Sequence, residues 1–267
     1  MHRTLTAVFL AAVCASTAAA QGLAILPREP GDTVRYRVRT YVAEGVGARA
    51  TLGGEMEHDA VIAVTRAEGE TARAWFEELS IRRVGGVAVP TDSALHLPFL
   101  FRVADRRASL FLAPDLPESV SRMADLDRQL ADFFPTLPDG PLAPGAEWAD
   151  TVVHAERVPG RISRAVAARR YRVRGDTIVF GARAVAVEMT SVLTEENRVD
   201  LSPRSRMARM LDARLSGREE GVVFFGHDGR FLGASRRAEL TGTSTMQGNT
   251  LSISRAYRTE IVPHRQP

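Results

Sequence analysis

Lysine is missing from this chain: all 35 basic side chains are arginine. A phosphate loop of the GxxxxGK[ST] kind is therefore excluded, since that loop needs a lysine for the phosphates. Arginine is the better fork for phosphate and carboxylate, but a uniform preference also fits a coding bias. Cysteine is nearly absent. The single Cys14 falls in the N-terminal leader, so the mature chain is expected to have no disulfide, thiol nucleophile or cysteine-ligated metal. Val13 and Ala11 are not the residues that a lipid-attachment site places before its cysteine. There is no GxSxG elbow for a serine nucleophile. His58, His96, His154, His227 and His264 are never spaced HxH, HxxH or HxxxH, which argues against a local zinc site. The formal net charge of +3 is too balanced to point to nucleic acid.

The leader is clear. His2 and Arg3 supply positive charge, Leu5–Val13 is apolar, and Ala18-Ala19-Ala20 gives a small-residue cleavage pattern before Gln21. Residues 1–20 read as a signal peptide, with export to the periplasm or the medium as its consequence. The apolar run falls short of the roughly 20 residues that a spanning helix needs, and no later run reaches that length.

The mature chain reads mainly β. In Thr33–Ala43, Val34, Tyr36, Val38, Thr40 and Val42 alternate with Arg35, Arg37, Arg39 and Tyr41, the period-two pattern of a half-buried strand. Further strand signals cover Glu55–Arg66, Thr71–Ile81, Val87–Pro90, Arg107–Ala113, Trp148–Val158, Ile162–Arg174, Thr177–Phe180, Arg183–Leu193, Gly221–Phe225, Arg230–Leu240 and Leu251–Val262. His227-Asp228-Gly229 is a hairpin turn between two of them. Gly45–Gly54 reads as a loop, Thr91–Asp105, with Pro98, as irregular, and Glu195–Arg204 as a polar stretch that carries Pro203. In Arg206–Leu215, the positions of Met207, Met210 and Leu211 lean towards helix.

One segment changes period. From Ser119 to Phe134, Met123, Leu126, Leu130, Phe133 and Phe134 recur at steps of three and four, which predicts an amphipathic helix over 119–134. Ser119 or Ser121 can cap it and Pro135 ends it. The stretch that follows, to Asp150, is a proline-rich joint between a first β-rich half (21–143) and a second (144–267), within one continuous domain. PGDTVRYRVRTYV and PGAEWADTVVHAERV lead a set of three similar segments in the same order in each half, the pattern of an internal duplication.

Phe134-Pro135-x-Leu137-Pro138, then Pro144-Gly145-x-x-Trp148 with Asp150-Thr151, and the later Gly226-x-Asp228-Gly229 carry a resemblance to a group of uncharacterised exported bacterial β-rich proteins. Their strand order fits most of the mature length. The resemblance implies a fold and no catalytic residue. A looser likeness is to LolA-type lipoprotein carriers, which hold acyl chains between a curved sheet and a helix; it concerns the fold alone.

Chemistry is sparse. Glu55, Glu57 and Asp59 alternate beside His58 and suit a solvated strand face better than a cation site. Glu195-Glu196 point to opposite sides if they lie on a strand. Arg161, Arg164, Arg169, Arg170, Arg172 and Arg174 form the densest basic stretch, with Arg170, Arg172 and Arg174 sharing one face. The expectation is therefore a strongly curved antiparallel sheet with one helix covering its apolar side. Function is expected to be non-catalytic binding of a lipophilic small molecule in the cell envelope. No cofactor, metal or nucleic acid is expected. Phe133, Phe134 and Trp148 are the candidate lining of a cavity between sheet and helix. The alternatives are an envelope module that binds another protein, and a hydrolase whose site assembles only in three dimensions.

Overall fold

The computed structural model describes residues 24–26, 29–47, 49–86, 88–104, 106–116, 120, 126–158, 161–200 and 210–264. The leader, including Cys14, and the helix caps Ser119 and Ser121 lie outside them. Twelve strands form one antiparallel sheet: β1 (Thr33–Val46), β2 (Arg49–Arg66), β3 (Thr71–Arg83), β4 (Ala88–Val89), β5 (Phe99–Ala104), β6 (Arg107–Leu112), β7 (Glu147–Val158), β8 (Arg161–Val179), β9 (Ala182–Asp200), β10 (Met210–Phe225), β11 (Phe231–Met246) and β12 (Asn249–Pro263). Among the described residues an α-helix, α1 (Leu126–Ala131), precedes β7.

The spatial order is β6-β5-β3-β2-β1-β12-β11-β10-β9-β8-β7, with the short β4 pairing β3. The sheet is curved and unclosed. β1 and β12, near the two ends of the chain, pair in its middle from Tyr36↔Pro263 to Val46↔Ile253. β6 and β7, consecutive in sequence, are its two free edges.

Alternation decides which face each strand buries. On β1, Tyr36, Val38 and Thr40 are buried while Arg39 and Tyr41 face out. On β8, Ala167, Arg169, Tyr171 and Val173 are buried while Arg170, Arg172 and Arg174 are exposed. The convex face is tied by ion pairs between strands: Arg37–Asp59 and Arg237–Glu220 join neighbours, and Arg35 of β1 reaches across β2 to Glu77 of β3. The concave face holds a large apolar cluster around Phe76, Phe99, Phe101, Phe133, Phe134, Phe225 and Phe231. A smaller cluster of Ala167, Leu193, Leu215, Ala238 and Leu240 lies along β8–β11.

Several local expectations are corrected. Gly45–Gly54 is no loop: β1 runs to Val46 and β2 starts at Arg49, because both strands have partners to hold them there. Thr91–Asp105 contains a 3-10 turn (Asp92–Ala94) and β5, whose Phe99 and Phe101 are fully buried. The polar stretch Glu195–Asp200 continues β9. Met210–Leu215 is strand, not helix: Ala213 and Leu215 point inward, and Asp212 bonds Arg198 at 3.2 Å on the other face. The helix stops at Ala131, before Phe133. Phe133 N–H donates to the Leu130 carbonyl at 3.2 Å, a tightened last turn, and Pro135 disfavours helix in Phe134.

Candidate functional site

The free edges of β6 and β7 are bridged by the segment between α1 and β7, a strap of residues 132–146. Two consecutive residues hold both sides. Leu137 N–H donates to the Arg106 carbonyl beside β6 at 3.0 Å, and Arg106 bonds Asp139 at 2.7 Å. On the other side, Trp148 Nε1–H donates to the Thr136 carbonyl at 2.8 Å, and the Thr136 hydroxyl donates to Asp150 Oδ2 at 2.6 Å. The strap ends by pairing with β8, where Gly145 N–H donates to the Val173 carbonyl and Val173 N–H to Ala146, both at 2.9 Å. Gly145 sits at φ +82°, a backbone region that L side chains rarely adopt.

Phe133 and Phe134 enter the concave face from the start of the strap. Their ring centroids are 4.8 Å apart, edge to face. Phe133 meets Tyr36 of β1 at 5.4 Å, Phe134 meets Phe101 of β5 at 5.6 Å, and Phe231 of β11 lies within 5.9 Å of both. The two rings thus tie together strands from both halves of the sheet. Burying each contributes about 2–3 kcal/mol. Trp148 is half-buried at the rim of the same cluster and lies flat on Tyr171, centroids 5.0 Å apart and planes 13° apart. Phe133 and Phe134 are therefore brought together, and Trp148 stands beside them on the β7 edge.

Asp132, next to Phe133, anchors the strap electrostatically. Arg169 of β8 donates to its Oδ1, and Arg236 of β11 donates to its Oδ2 and to its carbonyl, each at 3.2 Å. The Arg169 side chain is 1% exposed. Burial is the largest single effect and works against its charge, but Asp132, Tyr171 and Glu219 together outweigh it, and the guanidinium pKa is raised. Burial also pushes the Tyr171 hydroxyl up, against the opposing effect of Arg169. Glu219 of β10, also buried, adds a second negative charge near Arg169. The interior thus carries a polar belt between its two apolar clusters.

The remaining sequence candidates are engaged elsewhere. Glu57 bonds Arg82 at 2.6 Å and Asp59 bonds Arg37 at 2.9 Å on the convex face. His58 points inward, with Nδ1 3.1 Å from Gln129 Nε2 of α1. Asp228 accepts the Arg230 N–H at 3.1 Å and shapes its hairpin. Glu195 is buried and Glu196 exposed, as their adjacency on a strand requires.

Sequence reasoning missed the clasp of Asp132, Arg169 and Arg236. Part of the signal was present: Arg169 shares strand parity with Ala167, Tyr171 and Val173, so it belongs to the buried face. What no local pattern shows is its carboxylate partner, 37 residues away.

Neither a protein-family model nor a curated protein matches the chain. Among solved structures, one of lipid–protein interactions in lipovitellin is similar at 12% identity with a TM-score of 0.45, over 89% of this chain and 25% of that one. This chain therefore spans a quarter of the lipovitellin chain. The loop-deletion form of OmpT, an outer membrane protein of Vibrio cholerae, is similar at 10% identity and TM-score 0.27, over 87% of this chain and 100% of that one. OccK2 of Pseudomonas aeruginosa follows at 7% and 0.23, over 88% and 99%. None of the three reaches the similarity that marks a shared fold.

Proposed function

We propose that this is an exported binding protein of the cell envelope that holds a lipophilic small molecule on the concave face of its sheet, behind the strap. The observation that carries this reading is the strap itself. It crosses the opening between two unpaired edges, over an apolar interior, and Thr136, Leu137 and Asp132 fasten it with a handful of bonds. An apolar ligand enters by displacing the strap ahead of Gly145, with no strand pair broken, and takes the room that Phe133 and Phe134 fill. Export follows from the leader, residues 1–20.

The test is native mass spectrometry and solvent extraction of the protein purified from its own host. An apolar species that leaves on extraction is expected. Protein that is always empty, and that also fails to take up a fluorescent fatty-acid analogue, would overturn the reading.

A second reading, a module that binds another envelope protein, is favoured by Phe111 and Leu112, half-exposed on the free edge β6. Crosslinking in the native envelope separates the two: a reproducible protein partner that contacts β6, with no ligand inside, supports the second.

A further inference from the structure

The convex face carries a groove of about 610 Å³ over β3, β2, β1 and β12, remote in chemistry from the apolar interior. Its volume lies inside the range of roughly 300–1,000 Å³ typical of small-molecule sites. Four arginines and four carboxylates line it, with Tyr41 among them. Most of these charges already neutralise one another: Arg37 and Arg39 lie at 2.9 and 3.7 Å from Asp59, and Arg82 bonds Glu57. Arg258 and Glu260, two residues apart on β12, form no ion pair among the described residues. Register places Arg258 directly opposite Tyr41, and Glu260 opposite Arg39. The Glu55 carboxylate lies near the Tyr41 hydroxyl and pushes its pKa up, and the Tyr41 ring is 37% exposed.

Three ligand classes are disfavoured by this lining. Equal numbers of acids and bases give no net attraction for a polyanion or a polycation. The strands beneath, β2, β1 and β12, are each paired on both sides, so no free backbone edge awaits an extended peptide. Apolar lining is confined to Tyr41 and Leu79, too little to seat an acyl chain. A ligand rich in neutral hydroxyls meets none of these objections. Each hydroxyl both donates and accepts, so it pairs with guanidinium and carboxylate in alternation. The apolar C–H face of a sugar ring matches the exposed ring of Tyr41.

We infer that this groove is a binding site for a neutral oligosaccharide, with Tyr41 as the stacking platform and Arg258 and Glu260 as the polar pair that no ion pair engages among the described residues. The site is independent of the ligand proposed for the interior. The test is calorimetric titration of the full chain with cellotetraose, maltotetraose and chitotetraose, and with dextran sulfate as the polyanionic comparison. At least one neutral tetrasaccharide binds with a Kd below about 10 mM, and Tyr41→Ala and Arg258→Ala each weaken it about tenfold. Tyr41→Phe, which keeps the ring, stays within about threefold of the parent. Binding of none of the three sugars, preference for dextran sulfate, or affinity unchanged in both alanine variants overturns the inference. All three substitutions are at the surface, and circular dichroism verifies that each variant is folded.

Discussion

Arg255 of β12 holds Glu195 of β9 at 2.7 Å although β10 and β11 stand between them in the sheet. Only a strongly curled sheet allows that chord. The same guanidinium binds Glu44 of the neighbouring β1 at 2.7 Å. Glu195 is 1% exposed, so this contact helps to hold its charge. Arg255→Ala is expected to lower stability by about 3 kcal/mol, since a buried carboxylate loses a cation at 2.7 Å. Glu195→Leu with Arg255→Met should recover most of that loss, because a well-packed apolar pair replaces a desolvated ionic one. Urea denaturation measures both; a loss well under 1 kcal/mol for Arg255→Ala refutes the assignment.

The strap makes a second prediction. Asp132→Ala leaves Arg169 buried with its principal counter-charge gone and frees Arg236. A loss of about 3–5 kcal/mol is expected, smaller for Asp132→Asn, which keeps the shape and an acceptor oxygen. The more telling readout is amide hydrogen exchange. Protection should fall first across residues 132–146 and at the β6 and β7 edges, while the central β1 and β12 stay protected. A uniform loss over the whole sheet would mean that the clasp does not act on the strap in particular.

Strand parity was legible wherever one face is apolar and the other charged. Thr33–Ala43 and Ile162–Arg174 show it, because a period of two needs no knowledge of the partner strand. Strand ends were not legible. Glycine and polar residues near Gly45 and Glu195 look like loop until the partners are known: Gly47 N–H donates to the Ser252 carbonyl at 2.7 Å, and Glu195 finds Arg255. The same holds for the site. The apolar run of Leu126, Leu130, Phe133 and Phe134 marked a buried stretch, although the helix ends at Ala131 and both phenylalanines enter the core from the strap. That Asp132 binds arginines 37 and 104 residues away depends on curvature that no window of sequence contains.

Glycine at two strand positions permits that curvature. A Cβ on Gly217 of β10 would stand 1.9 Å from the Glu239 carbonyl oxygen, and one on Gly242 of β11 would stand 1.8 Å from that of Arg214. Both obstacles are backbone, which cannot turn away as a side chain can. Gly217→Ala and Gly242→Ala should each force the β10–β11 pair apart and destabilise by about 2 kcal/mol or more, despite the smallest possible change in side chain. Thermal unfolding followed by circular dichroism measures this. Alanine accepted at both sites without loss would mean that the two strands are not so closely coiled.

Alkaline pH should unfold the protein through its buried tyrosines. Tyr36 donates its hydroxyl to the Phe231 carbonyl at 2.9 Å, and burial pushes its pKa up; burial does the same to Tyr171. A phenol whose folded pKa lies above its unfolded value of about 10 adds stability that is intact below pH 10. That stability is lost as pH rises beyond 10, where the unfolded chain ionises and the folded one resists. Ultraviolet titration should therefore show Tyr36 and Tyr171 ionising late, together with the unfolding transition. Tyr36→Phe should shift that transition to higher pH while costing about 1 kcal/mol at neutrality for the lost hydrogen bond. If all four tyrosines titrate near pH 10 with the fold intact, the burial of these two hydroxyls is refuted.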